Sequence, residues 1–254
     1  MNTDWFTADT HIHHGNIIKY CHRPFLEKED VDFLTANGGV WHRGAWKGDG
    51  SSKHQISKKA VQRMGDTIIG NINDCVKPGD RLWHLGDVLF GYRQDYVRKA
   101  FDIFKNIQCK NVHLIWGNHD DYDDDYGCRL YDESGRTIKD LVKSTHSLRK
   151  IRVNNQMIVL CHYAMAVWEK SHRGSWHLYG HSHSNAEDWL NKIMPGRRSM
   201  DVGIDNAYKI LGSYRPFSFE EIAEIMKDRH GVTIDHHIDP NAPTEEDLHQ
   251  QSVI

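Results

Sequence analysis

Five short apolar runs are spread along the chain, and each stops at a glycine or a polar residue. They cover residues 5–8, 81–85, 112–116, 157–161 and 176–179. Their lengths are those of buried strands, and several are rich in aromatic or β-branched residues, which favour strands. We therefore predict five buried β-strands.

Helical periodicity occurs between and after these runs. In residues 57–69, Val61, Met64 and Ile68 recur at helical spacing behind Ser57, a serine that can cap the helix. Residues 94–104 and 219–227 also place apolar side chains on one face. The order of the elements predicts a mixed α and β fold in which the helices cover the sheets.

The residues that follow the five predicted strands are unusual for plain turns. Turn formation explains Gly86, Gly117 and Gly180, but it does not explain an aspartate, asparagine or histidine at every one of the five ends. In the extended segments DTHIHH and GHSH, alternate residues can point the same way. Ligands gather beyond the carboxyl ends of strands in open sheets, so we expect these side chains to converge. They are Asp9, His11, Asp87, Asn118, His162, His181 and His183.

The donor types in this set indicate a metal site. Carboxylate oxygen, amide oxygen and imidazole nitrogen suit borderline divalent ions, with Mn favoured and Fe, Zn, Ni or Co as alternatives. The absence of cysteine from the set argues against a structural zinc site. Seven donors exceed the need of one four-coordinate ion, so they suit two ions that share a bridging carboxylate. A histidine-rich storage module and an adventitious histidine tract are the alternative interpretations.

Composition limits the class of protein. The chain has 254 residues, of which 39% are hydrophobic and 26% charged, and it contains 8 tryptophans, which is typical of a globular protein. We predict a single domain over residues 1–238. It carries an insertion near 37–53, rich in glycine, tryptophan and basic residues, and is followed by a polar C-terminal tail at 239–254.

Charge and cysteine usage limit the partners. The formal net charge is -3, which gives no global footprint for nucleic acid or an anionic membrane, so any polyanionic partner must be held locally. Five scattered cysteines, an odd number, argue against a disulfide framework. No segment approaches 18 consecutive apolar residues. We expect a cytoplasmic protein with no membrane partner, and the oligomeric state is left open.

The ordered motifs D-x-H, GD, GNHD, H and GHxH resemble those of the calcineurin-like metallophosphoesterase superfamily. Here they read DTH, GD, GNHD, CH and GHSH, from Asp9 to His183. The stretches FTADTHIHHGNIIKYCHRPF, CHYAMAVWEKSHRGSWHLYGHSH and SMDVGID further resemble a small branch of bacterial and phage phosphoesterases. The resemblance implies an α/β fold with two mixed β-sheets packed as a sandwich flanked by helices, in four αββα layers.

The resemblance also implies roles for individual residues. One ion would be held by Asp9, His11 and His183, the other by Asn118, His162 and His181, with Asp87 bridging the two. A hydroxide between the ions would attack a phosphate ester in line. His119, next to Asn118, would be the general acid or charge stabiliser, or would merely orient Asn118.

The substrate is predicted only by class. A phosphodiester related to nucleotides or nucleic acid is favoured, with a phosphomonoesterase or protein phosphatase as the alternative. His172, Arg173, His14 and Asn16 are candidate substrate contacts, and a solvated loop is the competing interpretation of residues 170–177. The insertion would stack a base, act as a lid or meet a second subunit. A catalytically silent binding module would lack one or more ligands or His119, and none is missing.

Overall fold

The computed structural model describes residues 2–37, 40–42, 45–47, 55–91, 95–123 and 125–231, with the backbone alone at 40–42 and 45–47. The polar tail at 239–254 and most of the insertion at 37–53 lie outside these residues. The domain boundaries therefore stay predictions.

Strands and helices alternate along the described chain. The strands are β1 (Asp4–Thr7), β2 (Val40–His42), β3 (Ala45–Lys47), β4 (Arg81–His84), β5 (Val112–Ile115), β6 (Ser144–His146), β7 (Leu148–Val153), β8 (Gln156–Cys161), β9 (Trp176–Tyr179), β10 (Ser199–Asp201) and β11 (Phe217–Ser218). The α-helices are α1 (Gly15–Tyr20), α2 (Lys28–Ala36), α3 (Lys58–Cys75), α4 (Tyr96–Asn106), α5 (Glu187–Ile193), α6 (Ile204–Leu211) and α7 (Phe219–Met226). The five predicted strands correspond to β1, β4, β5, β8 and β9.

Two mixed sheets contain most of the strands. The first has the order β11-β1-β4-β5-β6, with β11 antiparallel and the other four parallel. The second has the order β10-β9-β8-β7, with β7 antiparallel. Strands β2 and β3 form a separate antiparallel pair inside the predicted insertion. In each sheet the parallel strands bring their carboxyl ends to a common edge.

The two sheets pack face to face through one apolar cluster. Its members from the first sheet are Phe6, Trp83, Ile115 and Phe217, and those from the second are Val153, Ile158, Leu160, Trp176, Leu178 and Met200. These side chains are buried, as expected for the inner faces of a sandwich. The predicted fold class, an α/β sandwich of two mixed sheets flanked by helices, is confirmed.

Helices cover the other faces of the sheets. On the first sheet, α3 and α4 pack in a second apolar cluster with Leu82 and Leu114. Ser57 caps α3 as predicted, its hydroxyl accepting the Ala60 amide at 3.3 Å. This helix runs past the predicted end at 69, because Ile72 continues the buried stripe. Helix α7 packs on the inter-sheet cluster.

All five cysteines are free, in agreement with the predicted lack of a disulfide framework. Among the described residues, no helix has the length and apolar character needed to cross a membrane.

Candidate metal centre

The loops after β1 and β4 are hydrogen-bonded to each other at the carboxyl edge of the first sheet. The Asp9 amide donates to the Gly86 carbonyl at 2.9 Å, and the His11 amide donates to the Asp87 carbonyl at 3.0 Å. The same edge carries the turn that follows β5 and contains Asn118. The parallel strands thus align the first half of the predicted ligand set.

The second sheet contributes the histidines. His162 follows β8, and His181 and His183 follow β9. A direct hydrogen bond joins the two sheets here, because the His181 amide donates to Asp9 Oδ2 at 2.8 Å. The ends of five strands from two sheets therefore meet at one place.

The predicted residues form two groups of potential ligands. Ligand atoms of Asp9, His11 and His183 lie within 4.8 Å of one another, and so do those of Asp87, His162 and His181. The side-chain oxygen of Asn118 lies 3.1 Å from His162 Nε2. The grouping coincides with the division between two ions that the family resemblance implies.

Asp87 lies between the groups. Its Oδ2 atom is 3.4 Å from His11 Nε2 and 3.5 Å from His162 Nε2. Its other oxygen accepts the backbone amide of His119 at 2.8 Å. One carboxylate oxygen therefore faces a histidine from each group.

The backbone at these positions is strained. Asp9, His11, Asp87, His181 and His183 have φ values of 55°, 46°, 56°, 67° and 48°, in the left-handed region that non-glycine residues rarely adopt. Each such residue costs on the order of 1 kcal/mol, and strain of this kind collects at functional sites. Five of the seven predicted ligands share it, so these positions of DTHIHH and GHSH are not extended as the alternation predicts. Six non-glycine residues outside the ligand set, among them Asn154 and Asn155 of the β7–β8 turn, also adopt it.

Two motif glycines permit the close approach of the loops. A Cβ on Gly86, whose φ is +96°, would lie 2.5 Å from the Gly117 amide nitrogen and 2.7 Å from His162 Nδ1. A Cβ on Gly180 would lie 2.5 Å from Ala8 Cβ and 2.6 Å from Asp9 Oδ2. Larger residues at these positions would push the ligand-bearing loops apart.

The electrostatics of the first group favour a bound cation. Burial, and then the carboxylates of Asp201, Asp87 and Asp205, raise the pKa of Asp9 well above its ordinary value. Burial lowers the pKa of His11 well below its ordinary value, so its ring is neutral and keeps a lone pair for a ligand role. A cation would offset the repulsion among the carboxylates.

Buried polar atoms that lack a hydrogen-bond partner show whether these residues fit a metal ion. Among the described residues, Asp9 Oδ1 and both ring nitrogens of His11 are buried without a hydrogen-bond partner. Buried polar groups normally have a partner, because leaving them without one costs free energy. A divalent ion satisfies such oxygen and nitrogen donors directly, so the residues present fit a metal.

Two histidines are oriented by partners behind them. His162 Nδ1 donates to the Leu85 carbonyl at 2.7 Å, so the other ring nitrogen, Nε2, faces Asp87 and Asn118 and is the one available to a metal ion. His183 Nδ1 is 2.7 Å from Asp205 Oδ2. Metal-binding histidines characteristically have such carbonyl or carboxylate partners on the second ring nitrogen.

Arg23 and Asp205 support the site, and sequence reasoning missed both. Arg23 is 1% exposed, and its guanidinium makes two 2.8 Å hydrogen bonds to the Asp205 carboxylate. It also donates to the carbonyls of Thr10 and Asp9 at 2.8 and 2.7 Å. Although burial alone would raise the pKa of Asp205, the guanidinium and His183 hold it well below its ordinary value. The two residues are 182 positions apart, so no local signal joins them.

Asp120, the last residue of GNHD, fixes the loops of the first sheet. Its carboxylate accepts the amides of Asp87 and Gly117 at 2.9 Å and of Val88 at 3.1 Å. Burial, and then the Asp87 charge, raise its pKa to about 6. Asp120 thus positions Asp87 through the backbone.

Asp201 has the same role in the second sheet, and it too was missed. Its carboxylate accepts the Ser182 hydroxyl at 2.7 Å and the Ser184 amide at 3.0 Å. It lies in the stretch SMDVGID, and its contacts hold the GHSH loop in place.

His119 and His14 lie at the rim of the site. The exposed His119 ring is centred 5.3 Å from that of His11 and 5.7 Å from that of Phe90. His14 stacks on Phe90 at 4.2 Å. Burial, and then the neighbouring His119, lower the pKa of His14 to about 4. Asn16 is half-buried in the first turn of α1, two residues beyond His14.

His172 and Arg173 lie elsewhere. They form a single 3-10 turn before β9, whereas His181 follows the other end of that strand. Four residues of strand, about 13 Å, separate the two ends. Arg173 is exposed beside Arg152 and Gln156, at the start of β8. The structure does not bring these two candidates to the ligand set.

Comparisons with known proteins agree with the fold and supply no activity. No family model matches the chain. An uncharacterized protein of Methanocaldococcus jannaschii is 24% identical over 227 residues, which cover 89% of this chain and 93% of that protein. The crystal structure of a protein of unknown function from Aquifex aeolicus overlaps with a TM-score of 0.53 at 20% identity, covering 89% of this chain and 100% of the other. That likeness concerns the fold alone.

A novel archaeal phosphodiesterase gives a much weaker overlap. Its TM-score is 0.30 at 14% identity, over 71% of this chain and 73% of the other. A value of this size does not establish a common fold.

Proposed function

We propose that this chain is a dimetal phosphoesterase of the calcineurin-like metallophosphoesterase superfamily and that it hydrolyses a phosphodiester. The observation that carries the proposal is the Asp87 carboxylate, with one oxygen 3.4 and 3.5 Å from the histidines of two adjoining ligand groups. Two ions sharing a carboxylate form a clamp suited to phosphoryl transfer.

Each residue of the site has a proposed role. Asp9, His11 and His183 would hold one ion, Asn118, His162 and His181 would hold the other, and Asp87 would serve both. When bound, two divalent ions, with Mn favoured, supply positive charge for the phosphoryl oxygens and lower the pKa of a water molecule. Asp205 and Leu85 fix the histidine rings, and Asp120 fixes the Asp87 backbone.

The proposal predicts metal-dependent hydrolysis. Metal-stripped protein refilled with Mn, Ni, Zn or Mg is expected to cleave an aryl phosphodiester faster than the matching aryl monoester, and chelator is expected to stop the reaction. The measurement is turnover of both reporters alongside the metal content of each sample. Faster cleavage of the monoester would assign the protein a phosphatase activity instead of a phosphodiesterase activity. No turnover of either ester with two metals bound would contradict the proposed function.

His119 is proposed to protonate the leaving oxygen. Its imidazole lies at the rim of the site. Its backbone amide donates a hydrogen bond to Asp87 at 2.8 Å, which fixes the main chain of His119 beside the candidate metal ligands. His119→Ala is expected to lower kcat about 10²-fold, the ordinary value for loss of a general acid, with both metals retained.

The leaving group tests this role against simple positioning. An aryl leaving group of low pKa needs little protonation, so His119→Ala is expected to slow its ester less than an ester with an alkyl leaving group. Equal losses on both esters, or a loss of metal that parallels the loss of rate, would assign His119 to orienting Asn118 instead.

A further inference from the structure

A groove lined by cationic side chains lies where the chain passes from β6 of the first sheet to β7 of the second. Its volume is about 520 Å³. The cations lining it are Arg81, Lys143, Arg149, Lys150 and Arg152. No acidic residue lines it within the part of the chain that the structure describes. We call this feature the basic groove.

The cations of the basic groove outnumber their carboxylate partners. Arg81 pairs with Asp4 and Lys150 with Glu169, both at 2.5 Å. Lys143 and Arg149 are exposed, and among residues 2–37, 55–91, 95–123 and 125–231 no carboxylate ion-pairs with either. The whole chain has a net charge of -3, so this positive charge is a local concentration.

Two histidines also line the basic groove, and burial and neighbouring positive charge lower their pKa values. His113 and His146 are both within hydrogen-bond distance of the Ser144 hydroxyl, at 2.7 and 3.0 Å. Burial, and then Arg81 and His146, lower the pKa of His113 to about 4. Burial and Arg149 lower the pKa of His146. Both imidazole rings are therefore neutral at pH 7. The positive charge of the groove comes from its lysine and arginine side chains.

The basic groove leads toward the candidate metal centre. At its lower end the Lys143 amide donates to the Val112 carbonyl at 2.7 Å, and at its upper end the Trp116 amide donates to the His146 carbonyl at 2.9 Å. Lys143 and His146 are about 10 Å apart along the strand. Trp116 directly precedes the GNHD turn that carries Asn118. A chain that lay along β5 and β6 in the groove would therefore run toward the sheet edge that carries Asn118.

We propose that the basic groove binds the sugar-phosphate backbone of a nucleic-acid strand and directs one of its phosphodiesters to the metal centre. The proposal rests on the proposed function, whose substrate class it narrows. The five cations that line one concave groove match the negative charge of the phosphates of a strand. A lipid surface is flat and would not enter a channel between two sheet edges.

Binding of a labelled single-stranded oligonucleotide tests the proposal. The assay is fluorescence anisotropy in the presence of chelator, so that no cleavage occurs, at several salt concentrations. Lys143→Glu/Arg149→Glu is expected to weaken binding about tenfold or more near 0.1 M salt. Loss of two phosphate contacts is expected to reduce the slope of log K against log salt by about 1.4. Both side chains are exposed, so circular dichroism is expected to show an intact fold.

A charge-matched control separates the effect of the groove on binding from the effect of the net charge of the protein. Lys58→Glu/Lys105→Glu makes the same change on exposed positions of α3 and α4, which cover the first sheet. This variant is expected to bind the oligonucleotide within about twofold of the wild type, since it removes no groove contact. Equal weakening by both variants would overturn the proposal.

The outcomes also separate this proposal from the proposed function. If wild-type protein cleaves the small aryl diester but the oligonucleotide binds equally to the wild type and the groove variant, the groove proposal fails and the phosphodiesterase stands. If binding depends on the groove but no ester is cleaved with two metals bound, the proposed function fails, and only the binding of a strand by the groove stands. Tighter binding of anionic vesicles than of the oligonucleotide, with the same dependence on Lys143 and Arg149, would overturn the nucleic-acid assignment.

Discussion

Replacing Asp87 by asparagine is expected to lower kcat/KM for phosphodiester hydrolysis about 10³-fold or more, which is about 4 kcal/mol of transition-state stabilisation. An amide of the same size keeps the acceptor for the His119 amide but removes the negative charge between the two ligand groups. If two divalent ions bind as proposed, the variant would lack the negative charge that offsets the repulsion between them. The measurements are steady-state kinetics on the aryl diester and the number of metals per chain.

The matched control for Asp87→Asn is Asp66→Asn. Asp66 is exposed on α3, where its carboxylate accepts a hydrogen bond from Gln62, so the same chemical change there is expected to leave kcat/KM unaltered. Activity of Asp87→Asn within tenfold of the wild type, with two metals bound, would contradict the shared-ligand role.

Replacing Arg23 by methionine is expected to destabilise the fold by about 3–5 kcal/mol, the usual effect of removing one partner of a buried ion pair. Met fills much of the space beside Met64, but it leaves Asp205 buried with a negative charge and without its guanidinium partner. For a chain of this size the melting temperature is expected to fall by about 10 °C. Urea unfolding of the metal-free protein measures the effect without interference from metal binding.

Two further variants show whether the unpaired buried charge of Asp205 causes the loss of stability in Arg23→Met. Arg63→Met removes a partly exposed guanidinium that pairs with Glu27 at 2.9 Å, and it is expected to shift the unfolding midpoint very little. In the double variant Arg23→Met/Asp205→Asn the unpaired charge is gone, so we expect part of the lost stability to return. If Arg23→Met were no more destabilising than Arg63→Met, the proposed support of the metal centre by Arg23 would have to be abandoned.

The sequence predicts those parts of the fold and site that have a local signal. Strands β1, β4, β5, β8 and β9 each contain apolar or aromatic residues at adjacent positions, because most of their side chains are buried on both faces of the sheet. Their ends carry the motif residues, so the sequence predicts that these side chains converge, whereas the division into two groups was implied only by the family resemblance.

The remaining strands have no comparable signal. Strand β7 reads LRKIRV and β6 reads STH, so they carry charged or polar side chains at the sandwich edge. They become strands through pairing, for example Lys150 with Val159 and Leu114 with Thr145. The sequence shows neither these pairings nor the basic groove that they line.

Arg173 and Arg23 show the limits of sequence distance. Arg173 is close to GHSH in the sequence, but β9 is extended and separates the two at opposite ends of the sheet. Arg23 is far from Asp205 in the sequence, yet the fold brings the two side chains into contact at 2.8 Å. Proximity along the chain favoured the first residue as a site residue, and only the three-dimensional packing identifies the second.

Each ligand group takes residues from both sheets. Asp9 and His11 belong to the first sheet and meet His183 of the second, while Asp87 of the first meets His162 and His181 of the second. These residues lie on loops beyond the strand ends, and the loops extend from two sheets whose spacing is set by the apolar cluster between them. Close-packed interiors resist compression and expansion. A substitution that changes the volume of these core side chains is therefore expected to change the separation of the loops that carry the two groups.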